Sequence, residues 1–165
     1  MPDRSEFTLS FDGVQVAPSP YGQNVRGSRS IRKSLLAGNG DDQVQNVYAY
    51  ESTLAASGTL SLDLKTANDR FGNALSAADI AMIFVENVVD ASGGGALEVR
   101  PNATNGFTNL LGTSSALKLP YGSFACIGNF TADKIVVDAT HKVLDFVETG
   151  GALPVLLRIH IWIRE

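Results

Sequence analysis

The chain of 165 residues contains one cysteine and two histidines, and only 18% of its side chains are charged. A lone thiol, Cys126, cannot close an internal disulfide or fill a four-ligand zinc site, so neither cross-link is available to hold a fold. His141 and His160 have no cysteine, histidine or glutamate at metal-ligand spacing, and no His-Glu-x-x-His run occurs. Long apolar runs are also missing. The longest candidate, Ile80 to Val89, is interrupted by Glu86 and Asn87 and falls short of the roughly 20 residues that a membrane-spanning helix needs. Gly93-Gly94-Gly95 lacks the Lys-Ser/Thr ending of a phosphate loop and the spacing of a dinucleotide fingerprint, and reads as a flexible turn. The opening Met1-Pro2-Asp3-Arg4-Ser5-Glu6 has no apolar stretch behind a basic head, so a secretory signal is not expected and synthesis in a cytoplasm is. The sequons at Asn102 and Asn129 then read as chance matches. No catalytic constellation, cofactor motif or metal cluster emerges, and the expectation is a protein that is not an enzyme and needs no cofactor.

What is present is enough to fold. Hydrophobic residues make up 44% of the chain and the net charge is only −4, which fits one globular domain stabilised by burial. The dominant signal is alternation. Phe7, Leu9 and Phe11 alternate with Thr8 and Ser10, and Asp12-Gly13 before Val14 and Val16 suggests a short hairpin. Leu60, Leu62 and Leu64 alternate with Ser61 and Asp63. Ser76 to Asp79 has a Ser-x-x-Asp spacing that predicts a helical turn leading into a buried strand from Ile80 to Val89. Short strands are expected at 96–100, 115–119, 122–127, 134–137 and 142–147. In the last strand Val155, Leu157, Ile159, Ile161 and Ile163 share one face, with Leu156, Arg158, His160, Trp162 and Arg164 on the other. Without long amphipathic helices or strand–helix alternation, the expected fold is all-β: an antiparallel, jelly-roll-like β-sandwich with an extended N-terminal arm or long loop.

That arm is expected over Ala17 to Asp42, where apolar periodicity disappears and prolines and glycines punctuate the chain. The division predicted is a hairpin and basic arm over residues 1–43 and a sandwich over 44–165. Arg26, Arg29, Arg32 and Lys33 fall in this arm with no acid between Asp12 and Asp41. Ile31, Leu35 and Leu36 put apolar anchors beside these charges, a combination that suits docking to a protein partner. Direct nucleic-acid binding is disfavoured by a pI of about 5.1 and by the single nearby aromatic, Tyr21. On the last strand, Arg158, His160 and Trp162 form a candidate subunit face.

Other chemistry-bearing residues read blandly. Cys126, between apolar neighbours, is expected to be a buried, inert thiol, and His141 a solvated turn residue. Asp41-Asp42 lacks the repeated acids of a calcium loop. Asp133 with Asp138, or Asp145 with Glu148, offers two carboxylates without showing that they face each other.

The run Leu60-Ser-Leu-Asp-Leu-Lys-Thr, followed by Phe71-Gly-Asn-Ala-Leu, Asp79-Ile-Ala-Met-Ile-Phe-Val-Glu-Asn and Asn105-Gly-Phe-Thr-Asn-Leu-Leu, resembles small virion proteins of tailed bacteriophages. The likeness continues through Pro120-Tyr-Gly-Ser-Phe, the stretch from Asp138 to Phe146 and the terminal strand, and departs where Pro120-Tyr-Gly replaces a Pro-Gly-Gly turn. The resemblance implies a β-sandwich subunit of the virion, such as a capsid cement or decoration protein, with no active site. Its expected partners are the major capsid protein or another virion component and further copies of itself, with no membrane. The competing expectation is a carbohydrate- or receptor-binding sandwich module of a phage tail or fibre.

Overall fold

The structure is a computed structural model that describes residues 4–15, 25–38, 43–68, 72, 74–88, 95–129, 131, 134–150 and 153–164. Two compact units are present, Met1–Ala37 and Gly38–Glu165.

In the first unit, β1 (Arg4–Gln15) and β2 (Val25–Ala37) form an antiparallel ribbon whose register runs from Arg4 opposite Leu36 to Gln15 opposite Val25. Two sequence expectations change here. Asp12-Gly13 is not a turn; it lies inside β1, with Gly13 opposite Gly27. Half of the expected loop, residues 25–37, is strand, and residues 16–24 lie outside the described residues. The pattern hid β2 because one of its two alternating rows, Arg26, Ser28, Ser30, Arg32 and Ser34, is polar until Leu36, and Arg29 and Lys33 interrupt the other.

The second unit is an antiparallel β-sandwich. Besides the two-residue β3 (Gln43–Val44), which belongs to the sheet of β1 and β2, the strands are β4 (Asn46–Leu54), β5 (Thr59–Asp63), β6 (Asp79–Val88), β7 (Leu97–Pro101), β8 (Leu117–Leu119), β9 (Phe124–Gly128), β10 (Ile135–Val136), β11 (Val143–Glu148) and β12 (Val155–Arg164). One sheet has the order β10-β6-β12-β4, with β9 also paired to β6; the other has the order β5-β11-β7-β8. The pairing is nested: β4 with β12, β5 with β11, β6 with β9, and β7 with β8, each antiparallel. Strand β12 lies between β4 and β6, and its alternation places Val155, Leu157, Ile159, Ile161 and Ile163 in the core, none more than 1% exposed. Facing them from the other sheet are Leu62, Leu97, Val99, Leu144 and Phe146. Prolines sit where a ladder tolerates them, Pro101 ending β7 and Pro120 following β8.

Residues 76–78 do not form the expected helical turn. The amides of Ala77 and Ala78 donate to the Leu64 and Arg164 carbonyls, and Asp79 starts β6, its carboxylate turned to Arg164 rather than to a helix end. The α-helix among the described residues is α1 (Thr108–Leu111), a single turn preceded by the fully buried Phe107 and without a side-chain cap, so no capping signature marked it in the sequence.

Two polar devices fasten the sandwich ends. Glu148, only 2% exposed, accepts hydrogen bonds from the Ser57 and Gly150 amides, and a Cβ on Gly95 would collide with its Oε1, which reserves that position for glycine. At the opposite end of β12, Arg164 and Asp79 form a buried ion pair, Nε to Oδ1 at 3.2 Å, where a bulge after Trp162 shifts the β12–β6 register. Arg164 Nη2 donates to the Asn129 carbonyl at 2.9 Å, and Lys134 Nζ lies 3.5 Å from Asp79 Oδ2.

Candidate functional site

A void of about 10 Å³ in the core is lined by apolar side chains including Val85, Val99 and Leu111. That is at the lower limit for one water and offers it no polar partner. On the surface, the outer face of the β4-β12-β6-β9 layer stands out. Alternation puts Arg158, His160 and Trp162 of β12 there, directly opposite Glu86, Phe84 and Met82 of β6. From β9, Phe124 and Cys126 stand opposite Glu86 and Phe84.

Rings form a row across three strands. Trp162 stacks on His160 at 5.9 Å between centroids, His160 meets Phe84 edge-on at 6.1 Å, and Phe84 stacks on Phe124 at 5.8 Å. Two of these pairs cross strands, and an aromatic pair such as Phe84 with Phe124 is worth about 0.5–1.5 kcal/mol beyond the area it buries. Phe124 ends the row with 46% of its surface exposed. An antiparallel sheet that met only water on this side would alternate to polar side chains here, so an aromatic row needs another explanation.

Beside the row, Arg158 is clasped from both neighbouring strands. Its Nε donates to Glu51 Oε2 at 2.6 Å and its Nη1 to Glu86 Oε2 at 2.9 Å. The Glu51 hydrogen bond pushes the already basic guanidinium further up, burial opposes it, and the charges of both glutamates and the Glu86 hydrogen bond add to the rise. The cluster carries one positive and two negative charges, so the face is apolar with a slight negative surplus. Arg158 and His160, with Ala49, Tyr50 and Glu51, line an open depression of about 320 Å³.

Cys126 is half-buried on this face rather than sealed in the core, and burial pushes its thiol up, away from the reactive thiolate. His141 lies in a polar turn as the sequence suggested, its Nδ1 2.9 Å from Asp138 Oδ2. The Asp138 carboxyl is held well below the usual carboxylate range by hydrogen bonds from His141, Thr140 and the backbone amides of both. The carboxylates considered for paired chemistry are separately occupied. Asp145 accepts from Ser61 Oγ at 2.7 Å and Asn102 Nδ2 at 3.1 Å on the outer face of β11, whereas Glu148 holds the backbone amides described above. Asp133 and Asp41-Asp42 lie outside the described residues. Among the described residues, no three His, Cys, Asp or Glu side chains cluster as metal ligands.

The structure thus gathers Arg158, His160 and Trp162 as the alternation of β12 indicated, and adds Phe84, Phe124, Glu51 and Glu86. The basic residues Arg26, Arg29, Arg32 and Lys33 and the apolar Ile31, Leu35 and Leu36 all fall on β2. Register separates them: Arg26, Arg32 and Leu36 occupy one set of alternate positions, Arg29, Ile31, Lys33 and Leu35 the other. Comparison of the chain with protein-family models, curated proteins and solved structures returns no match.

Proposed function

We propose that the chain is a non-enzymatic structural protein of a bacteriophage virion, a cement or decoration subunit that binds neighbouring capsomers and associates with further copies of itself. The observation that carries this reading is the aromatic outer face of the β4-β12-β6-β9 layer, a surface suited to permanent contact rather than to solvent. The strand order adds support. The nested antiparallel pairs β4 with β12, β5 with β11, β6 with β9 and β7 with β8 are divided between a five-stranded and a four-stranded sheet, and nesting of this kind is a feature of jelly rolls, an architecture that recurs in viral capsid and lectin domains. In this role the face containing Arg158, His160 and Trp162 joins copies of the subunit. The β2 residues Arg26, Arg29, Ile31, Arg32, Lys33, Leu35 and Leu36 serve docking, with the major capsid protein as partner. Avidity over many copies then stabilises the shell without any one strong contact. Sedimentation of particles carrying and lacking the protein tests the reading: co-sedimentation with intact capsids and loss of capsid stability in its absence are expected, and free protein that never co-sediments refutes it.

A second reading is favoured by the depression beside Tyr50, Glu51, Arg158 and His160, whose mixture of ring, cation and carboxylate suits a sugar. On that reading the protein is a carbohydrate-binding module of a tail or fibre, and binding on a glycan array that is lost in Arg158→Ala identifies it.

A further inference from the structure

An exposed sheet edge is a template for pairing, and proteins guard it with short strands, lysine, proline or a cover. The edges of this sandwich are guarded unequally. On the polar layer, β8 has three residues, with Lys118 exposed at its centre and Pro120 following, and β5 has five and ends at Asp63 in its ion pair with Lys142. On the aromatic layer, β10 and β9 share one side of β6 with two and five residues. The opposite edge is β4, whose nine residues, Asn46–Leu54, contain no proline, glycine or lysine. Among the described residues, no strand pairs with β4 on the side away from β12. Its one charge, Glu51, is held by Arg158 of β12 at 2.6 Å and so does not guard the edge.

The Val47 amide shows which backbone groups face outward. It donates to Asn46 Oδ1 at 2.8 Å instead of joining the ladder to β12. Amides of an antiparallel strand alternate between its two sides, so Ala49, Glu51 and Thr53 present theirs to the same free edge. A further strand reaches these groups by pairing with them through its own outward positions, and β4 is complementary to itself on those terms. With Tyr50 opposite Tyr50 of a second copy, Ala49 lies opposite Glu51, Tyr48 opposite Ser52, Val47 opposite Thr53 and Asn46 opposite Leu54. All positions of the strand then pair and no like charges meet. Moving the centre to residue 51 sets two glutamates against each other, and moving it to residue 49 leaves Thr53 and Leu54 beyond the end of the other β4. The small Ala49 side chain, beside the depression of about 320 Å³, leaves room for Glu51. Tyr50, half-buried at the margin and stacked on Tyr48 at 6.2 Å, meets its counterpart on the axis and carries the ring pair across the seam.

We infer that the outer edge of β4 pairs antiparallel with β4 of a second copy, about a two-fold axis at Tyr50, and joins the two aromatic layers into one continuous sheet. The inference rests on the proposed self-association and names a strand that performs it. The outer faces bearing Arg158, His160 and Trp162 then lie side by side on one surface of the pair. A contact of this isologous kind closes on itself, so it uses up the unguarded edge without propagating a fibre.

Two sets of full-length variants test the pairing. Ala49→Pro removes an outward amide that takes no part in the β12 ladder, a position where an edge strand tolerates proline. It is expected to leave the urea midpoint unchanged and to weaken self-association roughly tenfold or more in Kd, read by sedimentation equilibrium. In the second set Cys126→Ser is combined with Tyr50→Cys or with Ser52→Cys, followed by mild oxidation. Directly opposite residues of a non-hydrogen-bonded pair have Cα atoms about 4.5 Å apart, within disulfide reach, whereas the two copies of position 52 are about 13 Å apart. Tyr50→Cys is therefore expected to give a disulfide-linked dimer and Ser52→Cys none. If Ala49→Pro lowers the urea midpoint, the cysteine pair decides alone. Association unchanged in Ala49→Pro, with no cross-link from Tyr50→Cys, overturns the edge pairing and leaves self-association through the aromatic face intact. A cross-link from Ser52→Cys but not from Tyr50→Cys overturns the register, and a monomer at all concentrations overturns both the pairing and the self-association it rests on.

Discussion

The two layers of the sandwich bury similar aliphatic side chains but turn different outer faces to their surroundings. On the β5-β11-β7-β8 layer, Ser61 and Asn102 hold Asp145, Lys142 pairs with Asp63 at 2.7 Å, and Arg100 reaches Glu98 at 3.3 Å. That is the alternation expected of an antiparallel sheet with one side in water. On the β4-β12-β6-β9 layer the corresponding positions carry Trp162, His160, Phe84 and Phe124, with one arginine–glutamate cluster. Both faces belong to one unit, and under the proposed function the second is the one that serves contact between copies.

The largest effect is expected at the buried margin of the aromatic layer. Asp79→Ala leaves Arg164 uncompensated at 0% exposure and is expected to cost about 3–5 kcal/mol, read as a lower urea midpoint. Asp63→Ala on the polar face removes a partly exposed ion pair and is expected to cost about 1 kcal/mol or less. Equal costs would mean that the two layers do not differ in how they handle charge.

Trp162→Ser comes next. It is expected to weaken self-association by about 2 kcal/mol, roughly thirtyfold in Kd, as measured by sedimentation equilibrium. Lys118→Asp, on the polar layer, is expected to leave the association constant unchanged. Matching losses in the two variants would remove the distinction between the faces.

Two titrations give the smallest effects. Burial raises the Asp63 carboxyl, but hydrogen bonds from Lys142 and the Lys65 amide outweigh it, so the folded value lies below the ordinary one. Its contribution is therefore fully present above about pH 4 and is lost as pH falls through the folded value. Asp63→Asn is expected to flatten the acid limb of the stability profile measured by urea unfolding. Tyr48, on the inner side of β4, is pushed up to about 12 by burial and by Tyr50. Its contribution is complete below about pH 10 and is lost as pH rises toward about 12. Absorbance at alkaline pH is expected to show one tyrosine ionising late, and Tyr48→Phe to remove that step.

How much of this was legible in the sequence depends on how cleanly each strand alternates. In β12 an unbroken aliphatic row fixes the inner face, so Arg158, His160 and Trp162 could be assigned to the outer one. In β6, Ile80 to Val85 is apolar at every position because both of its faces are covered or aromatic. Composition therefore could not separate Phe84 from Ile83, and only pairing with His160 places Phe84 in the row. Phe124 and Cys126 share that dependence on register. In β2 the arginines and serines at alternate positions erased the apolar signal, and the segment read as a loop although it pairs with β1 throughout. The sandwich was legible because its core rows are long; the candidate face was half legible because it is defined by neighbours from distant parts of the chain.

The reactivity of Cys126 toward a thiol reagent, followed as a function of protein concentration, probes the aromatic face itself. If that face joins copies, reactivity falls over the same concentration range in which the sedimenting mass rises, and Trp162→Ser shifts both curves together to higher concentration. Reactivity that stays constant while the mass rises would contradict the assignment, since the copies would then meet elsewhere and leave the face open to solvent.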